Sequence, residues 1–106
     1  MIVDLRIYTA HPGQVQPALA FYEAEAWPLQ RRHLGTNLGF FVTECGPLNR
    51  IVHLWRYDGM ADREVRRAAL EADPRWQSLK AKTAERGYMQ AQENWILRPT
   101  GFSPIT

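Results

Sequence analysis

The residues best suited to chemistry lie on one stretch of the sequence, spaced two apart. His53, Trp55 and Tyr57 alternate with the aliphatic Val52 and Leu54, so all three fall on one side of an extended chain. An imidazole with a pKa of about 6.5 gives and takes protons at neutral pH. His53 is therefore the candidate catalytic acid or base, and the alternative is a histidine hydrogen-bonded in a dimer interface. Trp55 and Tyr57 are candidate walls of a small-molecule site.

Arg6 and Tyr8 occupy the same side of the first predicted strand and are candidate substrate-binding residues. A buried arginine needs an anionic partner, and three alternatives stand for Arg6: Asp4, Glu93 or a bound ligand. Asn94 adds a side-chain amide from the last predicted strand. In the catalytic hypothesis Arg6 and Tyr8 orient the polar end of an apolar or aromatic molecule that carries an anionic or carbonyl group.

A basic cluster follows on the second helical region, at Arg63, Arg66 and Arg67. Such a cluster binds a substrate carboxylate or phosphate, or it forms a solvated helix surface paired with nearby glutamates. The solvated surface is the favoured interpretation, because charged helix faces usually have no further role. The expected buried stripe of this region consists of Val65, Ala69 and Ala72.

The histidines and the single cysteine do not form a metal motif. His11, His33 and His53 fall in a turn, at a helix end and in a strand, and Cys45 has no partner cysteine. The sequence also contains no glycine-rich phosphate loop, paired-carboxylate spacing or nucleophile elbow. We therefore expect no metal and no cofactor.

Hydrophobic periodicity divides the sequence into elements in the order β-α-β-β-α-β. Asp73 and Pro74 restart the second helix as N-cap and first helical residue, while Pro28 is expected to end or kink the first helix near Trp27. This order predicts an α+β, ferredoxin-like βαββαβ fold with a four-stranded antiparallel sheet and both helices on one face. The predicted strands cover 2–9, 38–45, 50–57 and 88–97, and the predicted helices cover 14–33 and the region between Gly59 and Gly87.

The aliphatic side of the central strands is the expected helix-facing layer, formed by Val3, Leu5, Ile7, Val52 and Leu54. Right-handed crossovers place the first and third strands side by side at the centre, where we expect them to be parallel. The side that carries the aromatic rings is then left uncovered. We expect a second copy to cover it, giving a homodimer that encloses a cavity between two sheets.

Composition limits the remaining alternatives. The chain has 106 residues, 45% hydrophobic and 23% charged, so residues 1–106 are expected to form a single soluble domain. A net charge of +2, with eleven of thirteen basic residues being arginine, is too small to indicate a nucleic-acid partner. No apolar run approaches the roughly 20 residues of a membrane span, and no signal peptide is expected. A lone cysteine fits a cytoplasmic protein.

Several segments, in order along nearly the whole chain, resemble the NIPSNAP family: RIYT at 6–9, TECGPLN at 43–49, VHLWRY at 52–57, DPRW at 73–76 and ENWIL at 93–97. The resemblance implies a dimeric α/β-barrel built from two ferredoxin-like subunits, and it supplies no accepted reaction. Related barrels include cofactor-independent monooxygenases and small isomerases, an argument from fold analogy. Two function classes follow: a barrel that binds or transforms a small molecule, or a non-catalytic module that binds proteins or lipids.

Overall fold

The computed structural model describes all 106 residues as one four-stranded sheet with helices against it. The predicted ferredoxin-like α+β fold is confirmed, because the strands lie in the order β2-β3-β1-β4. The elements in chain order are strand β1 (Ile2–Ala10), helix α1 (Val15–Phe21), a π turn (Tyr22–Ala26), helix α2 (Trp27–Leu34), strands β2 (Thr36–Val42) and β3 (Arg50–Tyr57), helices α3 (Met60–Glu71) and α4 (Pro74–Arg86), and strand β4 (Met89–Leu97).

Every neighbouring pair of strands in the sheet is antiparallel. The expected parallel pairing of β1 with β3 is therefore wrong. Each crossover joins strands that are not neighbours, β1 with β2 and β3 with β4. The β2–β3 hairpin then reverses the chain direction between the two crossovers, so β3 runs opposite to β1.

The helix boundaries follow local signals with one exception. Asp73 caps α4 by accepting a hydrogen bond from the Arg75 amide at 2.9 Å, and Gly87 ends this helix in the left-handed conformation, both as predicted. Pro28 does not end the first helical region, which continues to Leu34. The π turn lies directly before Pro28, and its wider backbone path accommodates a residue that an α-helix interior excludes. None of the helices has the length and hydrophobicity needed to cross a membrane.

The side of β3 that carries His53, Trp55 and Tyr57 packs under the helices. All three residues are at most 1% exposed, and the hydrophobic core consists of Leu29, Leu34, Trp55, Tyr57 and Leu70. The expected assignment of the two sheet faces is therefore wrong. Alternation identifies which side chains share a face, but it does not identify the face that the helices cover.

The other face of the sheet, which we call the aliphatic face, has no helix on it. Leu5 lies opposite Leu54 and Ile7 opposite Val52 in the β1–β3 register, and the edge strands extend this surface with Phe41, Trp95 and Leu97. Phe41 and Trp95 are each more than half exposed. The surface left uncovered in one chain is thus aliphatic at its centre rather than aromatic and polar.

Helix α3 also presents a different side from the one predicted. Leu70 is fully buried, whereas Val65 is 70% exposed, so the predicted stripe through Val65 is wrong. The partly buried side carries Arg63, Arg66 and Arg67. Arginine side chains are long enough to pack their stems against the protein while their charged ends reach internal partners.

We predict that two substitutions on α3 will have unequal effects on stability. Leu70→Ala should lower the free energy of unfolding by about 2–5 kcal/mol, because it leaves a cavity in the core. Val65→Ala, five residues earlier, should change it by less than about 0.5 kcal/mol. Urea denaturation followed by circular dichroism measures both, and equal losses would contradict the orientation of α3.

Candidate functional site

A cavity of about 580 Å³ lies between the helix-facing side of the sheet and the helices. Strand β1 contributes Arg6 and Tyr8 to its wall, and β4 contributes residues 89–92. The remaining wall comes from helices, chiefly as apolar and aromatic side chains. These helical residues include Ala18, Phe21, Tyr22, Ala26, Gln30, Arg67, Trp76, Leu79 and Ala84.

The π turn aligns one row of residues along this cavity. Ala18, Tyr22, Ala26 and Gln30 are four residues apart and all lie in the wall. In a regular α-helix, positions four apart drift around the axis by about 40° per step. A π turn takes more residues per turn and reverses that drift for one step. The irregular helix therefore keeps Gln30 facing the cavity together with Tyr22.

A buried carboxylate anchors the polar side of the site. Asp4 is fully buried and accepts hydrogen bonds from Arg63 Nε at 3.0 Å, Arg6 Nη1 at 3.2 Å and Asn94 Nδ2 at 3.3 Å. Arg6 also donates from Nε to the Tyr8 hydroxyl at 3.3 Å. Of the three alternatives for the partner of Arg6, the structure has Asp4. The favoured interpretation of the arginine cluster as a solvated surface is wrong for Arg63.

His53 lies behind the cavity wall as a neutral imidazole. Trp55 Nε1 donates to His53 Nδ1 at 2.8 Å, so the ring proton resides on Nε2. Burial, reinforced by the charge of Arg6, lowers the pKa of His53 to about 3. Aromatic rings surround the imidazole: Phe40 stacks on it with a centroid distance of 4.6 Å, and Tyr8 meets it edge-on at 5.0 Å. His53 Nε2 has no hydrogen-bond partner within the chain.

The six residues singled out from the sequence share one side of the sheet, with different relations to the cavity. Arg6 and Tyr8 line it. Trp55 and Tyr57 belong to the hydrophobic core beside it, and Asn94 binds Asp4. Because this side packs under the helices of its own chain, it does not line a space between two sheets, and that expectation is wrong.

Two helical residues of the wall, Tyr22 and Gln30, are not among the candidates from the sequence, whereas Arg67 is a candidate as part of the basic cluster. The Tyr22 hydroxyl and the Gln30 side-chain oxygen are buried without a hydrogen-bond partner. Burial raises the pKa of Tyr22 well above its usual value, so its phenol is protonated at neutral pH. The sequence signal that identifies Tyr22 and Gln30 is their regular spacing: positions 18, 22, 26 and 30 are four residues apart and share one helix face. No group of three or more histidine, cysteine or acidic side chains is placed to hold a metal ion.

Residues 3–104 match the sequence profile of the NIPSNAP family. The chain belongs to the NIPSNAP family. The NipSnap homolog of Dictyostelium discoideum is 40% identical over 82 residues, which are 76% of this chain and 35% of that protein. Human NipSnap homolog 3A is 35% identical over 79 residues, 69% of this chain and 31% of its own length. This NIPSNAP chain thus spans about a third of the length of these curated relatives.

Solved structures of the family share the whole fold. Protein Atu4242 from Agrobacterium tumefaciens is 40% identical, with a TM-score of 0.93 and 100% coverage of both chains. A NIPSNAP-like domain protein from Burkholderia xenovorans is 41% identical, with a TM-score of 0.89 over 97% of this chain and 88% of that one. An antibiotic biosynthesis monooxygenase matches at a TM-score of 0.63 and 14% identity, over 94% and 99% of the two chains. That likeness concerns the fold alone.

We predict that His53 makes the fold sensitive to acid. Between pH 6.5 and 3 the histidine is protonated in the unfolded chain but neutral in the folded one, so the unfolded state binds more protons and stability falls as the pH falls. The contribution approaches about 1.4 kcal/mol per pH unit within that window. His53→Asn retains an acceptor for Trp55 and should flatten the dependence of unfolding free energy on pH, measured from pH 7 to 4.

The matched control is His11→Asn, since His11 is exposed in a turn. This variant should retain the acid sensitivity of the parent protein. The comparison uses the slope against pH, so a uniform loss of stability in His53→Asn does not obscure it. Parallel slopes for the parent and His53→Asn would contradict the buried neutral imidazole.

Proposed function

We propose that this NIPSNAP protein binds a small molecule with an apolar or aromatic body and an anionic or carbonyl group. The observation that carries the proposal is the open cavity of about 580 Å³, whose lining is about half aromatic and aliphatic and otherwise mostly polar or charged. Cavities of several hundred Å³ with this mixture are the usual form of a small-molecule site. The apolar walls favour the body of the ligand, and the polar groups determine its orientation.

In this proposal Arg6 and Tyr8 orient the polar end of the ligand. Their support is the hydrogen bond between them and the contact of Arg6 with Asp4, which hold both side chains at the cavity wall. A preorganised pair loses little conformational entropy on binding. Trp55 and Tyr57 support the cavity wall, because they belong to the hydrophobic core beneath it. Asn94 helps to position Arg6 indirectly, through its hydrogen bond to Asp4.

Binding, rather than turnover, is the function that the geometry favours. For a catalytic form of the proposal, His53 is the candidate proton-transfer residue. A neutral imidazole with its proton on Nε2 polarises a carbonyl by donating a hydrogen bond, which suits an isomerase-like reaction. A monooxygenase-like reaction without a cofactor draws its support from fold likeness alone. Tyr8 and Tyr22 lie edge-on to His53 and also line the cavity, so a ligand reaches the imidazole only past these rings.

We further propose that two copies associate through the aliphatic face. Leu5, Ile7, Val52 and Leu54 form a continuous apolar surface there, flanked by the exposed Trp95. Exposed apolar surfaces of this kind mark interfaces, and a two-fold dimer buries the same surface on both copies. The alternative occupant of this face is a protein or lipid partner of a non-catalytic module. A cytoplasmic location is part of the proposal and rests on the single unpaired cysteine, Cys45.

Filling the cavity tests the binding proposal. Ala84 and Ala81 of α4 are both exposed, but only Ala84 lines the cavity. In a thermal-shift screen of aromatic acids, ketones and alcohols, compounds that stabilise the parent protein should bind Ala84→Phe at least tenfold more weakly. Ala81→Phe should bind them as the parent does. Equal binding by both variants would place the ligand elsewhere, and a screen without any stabilising compound would count against the proposal.

A charge on the aliphatic face tests the association. Leu54→Glu should turn a dimer into a monomer in sedimentation velocity at micromolar concentration, because burying an unpaired carboxylate in the interface is costly. Val65→Glu, on the exposed side of α3, should leave the dimer intact. Circular dichroism confirms that both variants remain folded. A parent protein that sediments as a folded monomer would contradict the proposed dimer.

A further inference from the structure

The charged side chains around the cavity are paired, with one exception. Lys80 binds Glu71 at 2.6 Å. Arg6 and Arg63 share the carboxylate of Asp4. Arg67, which also lines the cavity, has no carboxylate at ion-pair distance; its charge contributes to lowering the pKa of Glu71, but that carboxylate binds Lys80. Four cations therefore surround two carboxylates, and Arg67 is the one whose charge has no ionic partner.

Arg67 belongs to the cavity wall, and its charge acts on the core behind that wall, where it interacts with the Tyr57 side chain. It opposes the effect of burial on the pKa of two phenols, Tyr22 and Tyr57. These phenols belong to the π turn and to β3, which lie on different sides of the core. Arg66, the preceding residue, instead binds Asp62 at 2.9 Å and does not line the cavity. Two adjacent arginines of one helix thus have different environments.

Two polar groups in the same wall are also without partners. The Gln30 side chain is 96% buried (4% exposed), with its oxygen unpaired, and the Tyr22 hydroxyl is buried and unpaired. Buried polar groups are almost always hydrogen-bonded, so each unpaired one calls for a partner that the chain itself does not supply. Both side chains line the cavity together with Arg67. Both unpaired atoms are closed off from solvent in this structure, so a bound molecule with a matching polar group reaches them only when side chains of the wall shift.

We propose that Arg67 binds the anionic end that Arg6 and Tyr8 orient, and that the ligand class is an aromatic monocarboxylate with a second polar group, a hydroxyl or ketone, near Tyr22 and Gln30. This inference rests on the proposed function and names its ligand class. The guanidinium fork matches a carboxylate through two parallel hydrogen bonds. Arg67 supplies the positive charge for that carboxylate, and the rings of Phe21, Tyr22 and Trp76 in the same wall supply the surface for the aromatic body.

The test uses isothermal titration calorimetry with four probes: 4-hydroxyphenylacetate, its neutral amide, phenylacetate without the ring hydroxyl, and phenyl phosphate. The parent protein should bind 4-hydroxyphenylacetate at least tenfold more tightly than the amide or phenyl phosphate. Arg67→Gln should remove the preference for the acid over the amide. Arg67→Lys should restore part of it, because the charge returns without the fork geometry.

Arg66→Gln is the matched control, since it removes an arginine one position away that does not line the cavity. It should bind all four probes as the parent does. Tyr22→Phe should reduce the advantage of 4-hydroxyphenylacetate over phenylacetate severalfold and leave phenylacetate binding unchanged. Circular dichroism of each variant separates loss of binding from loss of fold.

The outcomes separate this inference from the proposed function. If acid and amide bind equally well and Arg67→Gln changes neither, the role of Arg67 is overturned while small-molecule binding stands. Tighter binding of phenyl phosphate than of the acid would overturn the carboxylate assignment. Failure of both the acid and the amide to bind the parent protein at millimolar concentration would overturn the inference. An absence of any stabilising compound in the broader thermal-shift screen overturns the proposed function as well.

Discussion

The buried carboxylate of Asp4 is the interaction on which the rest of the structure depends. A charged group without exposure to water is stable only when strong partners surround it. Asp4 accepts hydrogen bonds from the guanidinium groups of Arg6, on the same strand, and Arg63, on α3, and from the side-chain amide of Asn94 on β4. These contacts join two strands and a helix at one point. They also require the polar side of β1 to face the helices, and they turn the arginines of α3 inward and Val65 outward.

A sheet with two unlike faces follows from that constraint. The inner face combines an ion-pair network and aromatic rings with a cavity, while the outer face is aliphatic. If a single chain buried all of its hydrophobic surface without a partner, its helices would be expected to cover the aliphatic face. Here the aliphatic face has no helix on it, which is the arrangement typical of a surface that associates with another molecule. The cavity on the inner face and the uncovered aliphatic face therefore have the same cause, which is that the helices pack on the polar and aromatic side of the sheet.

The features predicted correctly from the sequence are those with local causes. The order of elements follows from periodicity, and Asp73, Pro74 and Gly87 determine the ends of α4 through capping that neighbouring residues specify. The choice of the covered face has no local cause, because both sides of an alternating strand satisfy the same period. It depends on Asp4 meeting Arg63, which are 59 residues apart. No pattern within a single element contains that information.

The residues of the candidate site also differ in whether a local pattern in the sequence predicts them. Arg6 and Tyr8 were recognisable because they stand on a strand with clear alternation, and Asp4 was one of three partners considered for Arg6. The places of Gln30 and Arg67 in the wall depend on how their helices are rotated, which the π turn and the Arg63 contact determine. Sequence spacing shows that such residues share a helix face. It does not show which face meets a cavity.

The π turn also constrains how the family's sequences can change in length. A π turn is in effect a helix with one residue inserted. Deleting a residue between Phe21 and Trp27 would restore regular helical spacing, remove the backbone path that accommodates Pro28, and rotate every following position of α2 by about 100°. Gln30 would then leave the wall and Leu34 the core. Lineages that keep this binding chamber are therefore expected to accept substitutions in the segment far more readily than a change in its number of residues.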